Sequence, residues 1–450
     1  PPRPPPRFLP ISLMHRHVYA LLALFTAAWI SSQPLTALLS PSPERPWALY
    51  LALLYGSGYL SATMMSAAML MALRGPRLEA LAGGLDQLYR LHRQTALFAI
   101  GLAAAHYAIK LGSKALRRSG LLDKPEHAKS LSVQLFDSWH SIAKDFGEWS
   151  LYLALALVTV ALLQRIPYRH FVRSHRLMPV IFLLVTVHSV VFMPAPFWAG
   201  IAGPLAALLM AGGTVAAMLS LAGWIGGRRR ALGEISEVRP IGLGVLEVHA
   251  RLRDWKGHQS GQFALVTFDT REGAHPFTIA SAWLGDGHVR FAIKSLGDYT
   301  RALPARLQSG DPVIVEGPYG QFDFVCKQPR QIWIAGGIGL TPFVARLEAL
   351  AAESASHLPV DLFYCTRQAD PDIVARLNAI ASTAGVRLHL IESSRGDSLD
   401  VERVIAEVPA WAEASIWFCG PAGFGLAMRE GLTARGLLPS AFHQEAFEFR

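Results

Sequence analysis

Apolar positions along this chain fall into two regimes. From residue 13 to about 225 they form long runs with few interruptions; from 232 to 450 they come in short bursts punctuated by glycine, proline and charge. A lipid core needs about 20 mostly apolar residues per helix. Six stretches meet that need, roughly 17–39, 47–73, 91–112, 149–165, 176–194 and 198–225, the fourth and fifth being short. After Gly226-Gly227-Arg228-Arg229-Arg230, segments such as Gly244–Val248, Phe263–Phe268 and Val289–Ile293 read as short strands between turns, a pattern that suits a small antiparallel barrel. From about 330 the pattern becomes strand, glycine turn, helix: Gln331–Ala335, then a helix over Val344–Ala352. The expected fold is a multi-domain membrane protein. It has a six-helix transmembrane bundle over 13–226, an antiparallel β-barrel over 232–326 and an α/β domain over 328–450.

Charge predicts the orientation of the helices. Arginines cluster before the first stretch (Arg3, Arg7, Arg16), between the second and third (Arg74, Arg77, Arg90, Arg93), between the fourth and fifth (Arg165, Arg169, Arg173, Arg176) and after the sixth (Arg228, Arg229, Arg230). Basic flanks stay in the cytoplasm, so both termini of this multi-pass protein are expected there. One loop disagrees: 113–148 is placed outside, yet carries Lys114, Arg117, Arg118, Lys124, Lys129 and Lys144. A solvated loop is the plainer reading of it, and a basic cap that attracts an anionic acceptor is the sharper one. Its second half, with Leu131, Leu135, Phe136, Trp139, Ile142 and Phe146, suits a segment lying on the membrane surface. Pro1–Pro10 reads as lacking fixed structure. The run after it mimics a signal peptide, but losing that run would break the charge topology.

Composition narrows the class. The 450 residues are 52% hydrophobic and 17% charged, high and low respectively for a soluble protein. The net charge of +9 lies in membrane flanks, and no basic patch interleaved with aromatics points to nucleic acid. Cys326, Cys365 and Cys419 all fall in the polar half, which suggests a reducing compartment and no disulfide framework.

Ionisable residues inside spans are costly and point to function. The third stretch holds His92 and His106; the fifth holds His188, with His175 at its start. A lone histidine there is more often a packing residue, but two pairs at nearly matched spacing are harder to explain so. At about 1.5 Å per residue each pair spans ~20 Å. His92 and His175 then share one level and His106 and His188 another, which suits axial ligation of one haem iron at each level. The phase is imperfect: 14 residues return to one helix face, and 13 do not. Pro179 could kink the fifth helix and alter that phase. Zinc or copper fits poorly, because the levels are far apart and no cysteine or carboxylate joins them. His15, His17, His127, His140 and His170 match no ligand position and read as surface or loop residues.

This histidine spacing resembles the ferric reductase and NADPH oxidase superfamily, whose membrane domain holds two b-type haems. The polar half resembles that superfamily's ferredoxin-reductase-type module. His275-Pro276-Phe277-Thr278-Ile279-Ala280-Ser281 resembles its flavin motif. The resemblance implies that Phe277 packs on the FAD ring, Thr278 sits at the N5 edge, and His275 faces the phosphate, with Pro276 and Ser281 completing the motif. Lys294-Ser295-Leu296-Gly297-Asp298-Tyr299-Thr300 resembles the second phosphate-contacting segment, with Lys294, Gly297 and Thr300 as its working residues. Gly317-Pro318-Tyr319-Gly320 resembles the closing turn.

Gly336-Gly337-Ile338-Gly339-Leu340-Thr341-Pro342-Phe343 follows a strand and opens a helix, where backbone N–H groups can receive phosphate oxygens. With Cys419-Gly420-Pro421 it resembles the family's nicotinamide nucleotide site. Arg367, helped by Arg395, is a candidate for the 2′-phosphate of NADPH, with NADH the alternative. Phe449, and second Phe447, is the candidate carboxy-terminal aromatic over the flavin.

The resemblance implies electron transfer from cytoplasmic NAD(P)H through FAD, the haem at His92 and His175, and the haem at His106 and His188. The acceptor at the outer face would be oxygen or a ferric chelate. No catalytic acid or base is needed. The alternatives are a membrane electron-supply subunit that reduces a partner protein, and a haem-free transporter-like domain, which the four histidines argue against.

Overall fold

The computed structural model describes residues 13–444 apart from 35–37, 40, 124, 126–136, 164–165, 167, 243 and 354–356. The chain divides into two compact units between Ile225 and Gly226. His127, Phe447, Phe449 and the centre of the 113–148 loop lie outside the described residues.

The first unit is helical: α1 (Leu13–Ser31), α2 (Arg45–Met71), α3 (Pro76–Ala82), α4 (Leu85–Arg118), α5 (His140–Leu162), α6 (Tyr168–His175), α7 (Met178–Phe192) and α8 (Ala202–Leu221). Among the described residues, four helices are long and apolar enough to cross a membrane: Leu85–Arg118, His140–Leu162, Arg169–Phe192 and Ala202–Leu221; a shorter apolar helix covers His17–Ser31. The third of the four takes α6 and α7 together with the Arg176-Leu177 turn between them. At 27 residues α2 is also long, but Tyr50, Tyr55, Ser57, Tyr59, Ser61, Thr63 and Ser66 dilute its apolar character. Among apolar neighbours those hydroxyls need partners. Ser61 Oγ donates to the Ala99 carbonyl of α4 at 2.9 Å, and Thr63 and Ser66 donate back to Tyr59 and Ala62 at 2.8 and 2.7 Å. Small residues let the helices approach closely: a Cβ on Gly213 of α8 would lie 2.5 Å from the Phe182 ring of α7.

Several expected boundaries move. The helix expected over 91–112 runs from Leu85 to Arg118, and the one expected from 149 begins at His140. The fifth stretch is two helices. The break lies at Arg176-Leu177, because Pro179 in the first turn of α7 has no N–H to continue the ladder from α6.

The second unit holds two sheets. β1 (Arg230–Ile241), β2 (Val245–Leu252), β3 (Phe263–Thr267), β4 (His275–Thr278), β5 (His288–Lys294) and, after α9 (Asp298–Arg306), β6 (Pro312–Tyr319) form a six-stranded sheet in the order β4-β3-β6-β1-β2-β5. Its neighbouring strands are antiparallel, and an isolated Ile279–Phe291 bridge links the residue after β4 to the middle of β5. Alternating inward residues, among them Leu246, Val248, Ala250, Val289, Phe291 and Ile293, form its core.

The second sheet follows: β7 (Arg330–Gly336), α10 (Thr341–Ala352), β8 (Val360–Thr366), α11 (Pro371–Thr383), β9 (Arg387–Glu392), α12 (Val401–Glu407), β10 (Ala414–Cys419), α13 (Ala422–Ala434) and β11 (Phe442–Gln444). Its order is β11-β10-β7-β8-β9, every pair parallel. Near-continuous apolar strands such as Ile332-Trp333-Ile334-Ala335 are expected of a sheet covered on both faces. Trp333, Phe343 and Trp417 form one side's core, with Ile334, Phe363 and Phe418 on the other.

Candidate functional site: paired histidines and a flavin–nucleotide module

In the helical unit the four histidines form two pairs. The rings of His92 and His175 have centroids 6.2 Å apart at 76°, and those of His106 and His188 are 6.4 Å apart at 84°. Two metal–imidazole bonds of about 2.0 Å plus two half-rings of about 1.1 Å would set centroids ~6.2 Å apart. The ring-centroid spacing of each pair is therefore compatible with one iron between them. The tautomers agree. Nδ1 of His92, His106 and His188 lies 2.9, 2.8 and 2.8 Å from the carbonyl oxygens of Ala68, Leu54 and Ala143. A carbonyl only accepts, so each Nδ1 carries the proton and each Nε2 keeps its lone pair. His175 is held differently: its buried Nδ1 has no hydrogen-bond partner among the described residues. Among those residues no group of three or more His, Cys, Asp or Glu is arranged to hold a metal ion.

The break before α7 answers the phase mismatch. His175 ends α6 and His188 lies in α7, so the two need not share one helical phase. Two glycines make room for the rings of His106 and His188. A Cβ on Gly58 would lie 3.1 Å from His106 Nδ1, and one on Gly147 would lie 2.5 Å from His188 Nδ1. Neither glycine stands out in sequence, because each faces a histidine more than 40 residues away.

The His106–His188 pair opens into a cavity of about 360 Å³ whose lining includes His140, Tyr107, Lys110 and Glu148. His140 was expected at the surface or in a loop; instead it starts α5 and packs on Phe192, ring centroids 4.3 Å apart. Its place follows from α5 beginning a turn or more before the apolar run. Tyr107 donates to Glu148 at 2.6 Å, and its hydroxyl lies 2.7 Å from that of Tyr152.

In the second unit β4 carries His275, Pro276, Phe277 and Thr278, paired with Val266, Leu265, Ala264 and Phe263 of β3. His275 stacks on Tyr299 at 4.1 Å and 14°, and burial pushes its pKa down to about 4. Tyr299 comes from the second expected segment, which brings the two together. Ser281 is used twice: its hydroxyl accepts from Arg290 N–H at 3.1 Å, and its carbonyl accepts from His258 Nε2 at 2.8 Å. Thr300 Oγ1 accepts from the N–H groups of Leu296 and Gly297, both at 3.0 Å, so it shapes the turn into α9. A Cβ on Gly297 would meet open space, and its φ of −128° is ordinary. Lys294, at the end of β5, reaches towards the glycine turn: its Nζ lies 3.9 Å from where a Gly337 Cβ would stand.

That turn links β7 to α10. Gly337 is left-handed at φ +57°, and a Cβ on Gly336 would lie 2.7 Å from Pro421 Cδ. Gly339 lies against the Cys419 carbonyl, and Gly420 against Gly336. The two expected nucleotide segments, 336–342 and 419–421, are thus packed backbone to backbone. Thr341 Oγ1 donates to Ile338 O at 2.7 Å and Pro342 fills the first turn of α10, whose N-terminal N–H groups suit an anion. Arg367 is exposed at the end of β8, and Ser394 N–H donates to its carbonyl at 2.8 Å, bringing the Arg395 loop alongside. Burial holds the Cys365 thiol up at about 12, so it stays protonated.

Comparison with known proteins agrees with this division. Residues 57–186 match the ferric reductase like transmembrane component, and residues 235–323 match a FAD-binding domain. The chain is 28% identical over 149 residues to the vanillate O-demethylase oxidoreductase of Pseudomonas putida, covering 33% of this chain and 45% of that protein. It is 28% identical over 162 residues to the carnitine monooxygenase reductase subunit of Escherichia coli K12, covering 35% and 47%. The chain thus spans about half the length of these curated relatives. Among solved structures, the ferredoxin reductase in carbazole 1,9a-dioxygenase superposes with a TM-score of 0.41 at 23% identity, covering 48% of this chain and 67% of that one. With a ferric-reductase-like membrane component followed by a FAD-binding domain, the chain has the architecture of the ferric reductase and NADPH oxidase superfamily.

Proposed function

We propose that this protein carries electrons from NAD(P)H, through FAD and two b-type haems, across a six-span membrane domain to an acceptor on the far side. The observation that carries the reading is the two imidazole pairs, with centroids 6.2 and 6.4 Å apart, three of whose four histidines lie within the ferric-reductase-like match and the fourth two residues beyond it. FAD, when bound, would turn two-electron hydride donation into the single-electron steps that haems handle. The chain's own residues do the rest. His92, His175, His106 and His188 would hold iron through Nε2 at two levels, where it would pass single electrons. His275, Phe277 and Tyr299 supply ring surface beside the flavin strand, with Thr278 at its reactive edge. The glycine turn 336–339 and the Cys419-Gly420-Pro421 loop seat the nicotinamide nucleotide. Arg367 and Arg395, on neighbouring loops, favour NADPH over NADH. We place the flavin domain, as a small barrel, over 232–326 and the nucleotide domain over 328–450, with both termini on the donor side.

Oxygen and a ferric chelate are the two acceptors for this reading. A partner protein is the second reading, favoured by relatives named as reductase subunits of oxygenases. Anaerobic NADPH should reduce b-type bands from two haems per chain. In His92→Ala the flavin should reduce while the outer haem stays oxidised; in His106→Ala the inner haem should reduce but turnover should fall to background. Absence of reducible haem bands overturns the reading. Superoxide-dismutase-sensitive turnover identifies oxygen as the acceptor, anaerobic reduction of a ferric chelate identifies iron, and inactivity with both points to the partner.

A further inference from the structure

A chain of alternating charges runs across the second unit and is used by none of the sites above. Glu348 projects from α10, the helix that the nucleotide turn opens. Its Oε1 accepts from Arg290 Nη2, and its Oε2 accepts from the Ala282 N–H at 3.2 Å. Arg290 is on β5, its side chain 10% exposed, and its Nη2 also donates to the Ala280 carbonyl. Its Nε lies 3.6 Å from Glu247 Oε2, and that oxygen lies 3.5 Å from Arg376 Nη1 on α11. Glu247 is 3% exposed and takes Arg239 and His249 on its other oxygen, at 2.6 and 3.0 Å. Burial opposes ionisation of Glu247, but hydrogen bonds from His249 and Arg239 and the charges of Arg290 and Arg376 hold its carboxyl down at about 2.

The positions are specific. Ala280, Ser281 and Ala282 follow the flavin strand β4 after one residue, and Arg290 holds the first through its guanidinium and the second through its backbone N–H. The same guanidinium grips the helix whose first turn follows the nucleotide glycines. Ser260 Oγ adds a contact to that helix, donating to the Ala345 carbonyl at 2.9 Å. A guanidinium fixes several acceptors in one plane, which an ammonium cannot do. Hydride transfer needs reacting atoms in near contact, so a small slip between the two sheets is costly.

We infer that Arg290, braced by Glu348 and Glu247, is a positioning residue that sets the nicotinamide over the flavin. It touches neither group itself and acts through the 280–282 segment and α10. The inference rests on the proposed NAD(P)H-to-FAD reading. The test is anaerobic stopped-flow reduction of the flavin in the FAD-loaded full chain across a range of NADPH concentrations. Glu348→Gln keeps the shape and a hydrogen bond but removes the charge. It should keep FAD and an apparent Kd for NADPH within about twofold. Its limiting reduction rate should fall about tenfold, and the deuterium isotope effect with 4-deuterated NADPH should rise. Arg290→Lys should fall further, and Arg376→Gln, at the half-exposed end, about two- to threefold. Unchanged limiting rates in Glu348→Gln and Arg376→Gln overturn the inference, as does a change in NADPH affinity alone. If the buried variants do not fold, Arg376→Gln decides alone by the same readout. An unmodified protein whose flavin NADPH leaves oxidised refutes the donor reading instead, and is distinguishable from failure of the clamp.

Discussion

At the scale of single residues, the histidines depend on neighbours that carry no chemistry. Gly147 leaves space that His188 fills, and a Cβ there would lie 2.5 Å from two ring atoms. Gly147→Ala should push the ring off the position from which it is proposed to hold iron. The outer haem should be lost while the inner one remains, halving haem per chain in a pyridine haemochrome assay. Gly101→Ala, where a Cβ meets open space, should retain both. Protonation acts in the second unit. His275 has its pKa lowered to about 4 by burial, and His258 is lowered by the same cause. His258 accepts from Trp255 on Nδ1 and donates to Ser281 O from Nε2, an arrangement only the neutral ring can make. For such groups the unfolded chain binds the proton first, so stability is full above about 6.5 and is lost as pH falls towards the folded pKa. The temperature at which FAD is released should drop between pH 6.5 and 4. His275→Gln should flatten part of that drop; a curve unchanged by the substitution would refute this assignment.

At the scale of elements, one break carries a functional consequence. Thirteen residues separate His175 from His188 and would leave them out of phase on an unbroken helix. The Arg176-Leu177 turn ends α6 and restarts the backbone as α7, with Pro179 in the new first turn. Pro179→Ala restores an N–H and lowers by about 3 kcal/mol the cost of running one unbroken helix through this point. The helix should then run through and swing His175 away from His92. A redox titration should show the inner-haem transition weakened and the outer one kept. Two intact transitions would show that the break does not depend on this proline. The break was half legible: Pro179 was visible, but whether it kinks a helix or divides it depends on packing around Pro179, Ile181 and Phe182, which are buried in the fold. The start of α5 was not legible, since the polar residues from His140 to Glu148 look like loop until the cavity they line is known.

At the scale of the whole molecule, the sequence by itself determined the order of parts and most of the local chemistry. Separation along a helix converts to distance at a fixed rise, so two pairs of histidines already specified two levels. The glycine turn before Thr341 and the flavin strand at His275 are short segments whose form follows from residues adjacent in the chain. Tertiary structure decided what joins residues far apart. It set ring against ring at 6.2 and 6.4 Å, opened space at Gly58 and Gly147, and brought His140 into the cavity. It also linked Arg290 to Glu348, 58 positions on. A contact between distant segments depends on how both elements are turned about their axes, and that angle is set by the packing of every neighbour. A local pattern can therefore say which residues have the chemistry, while only the folded chain says which of them meet.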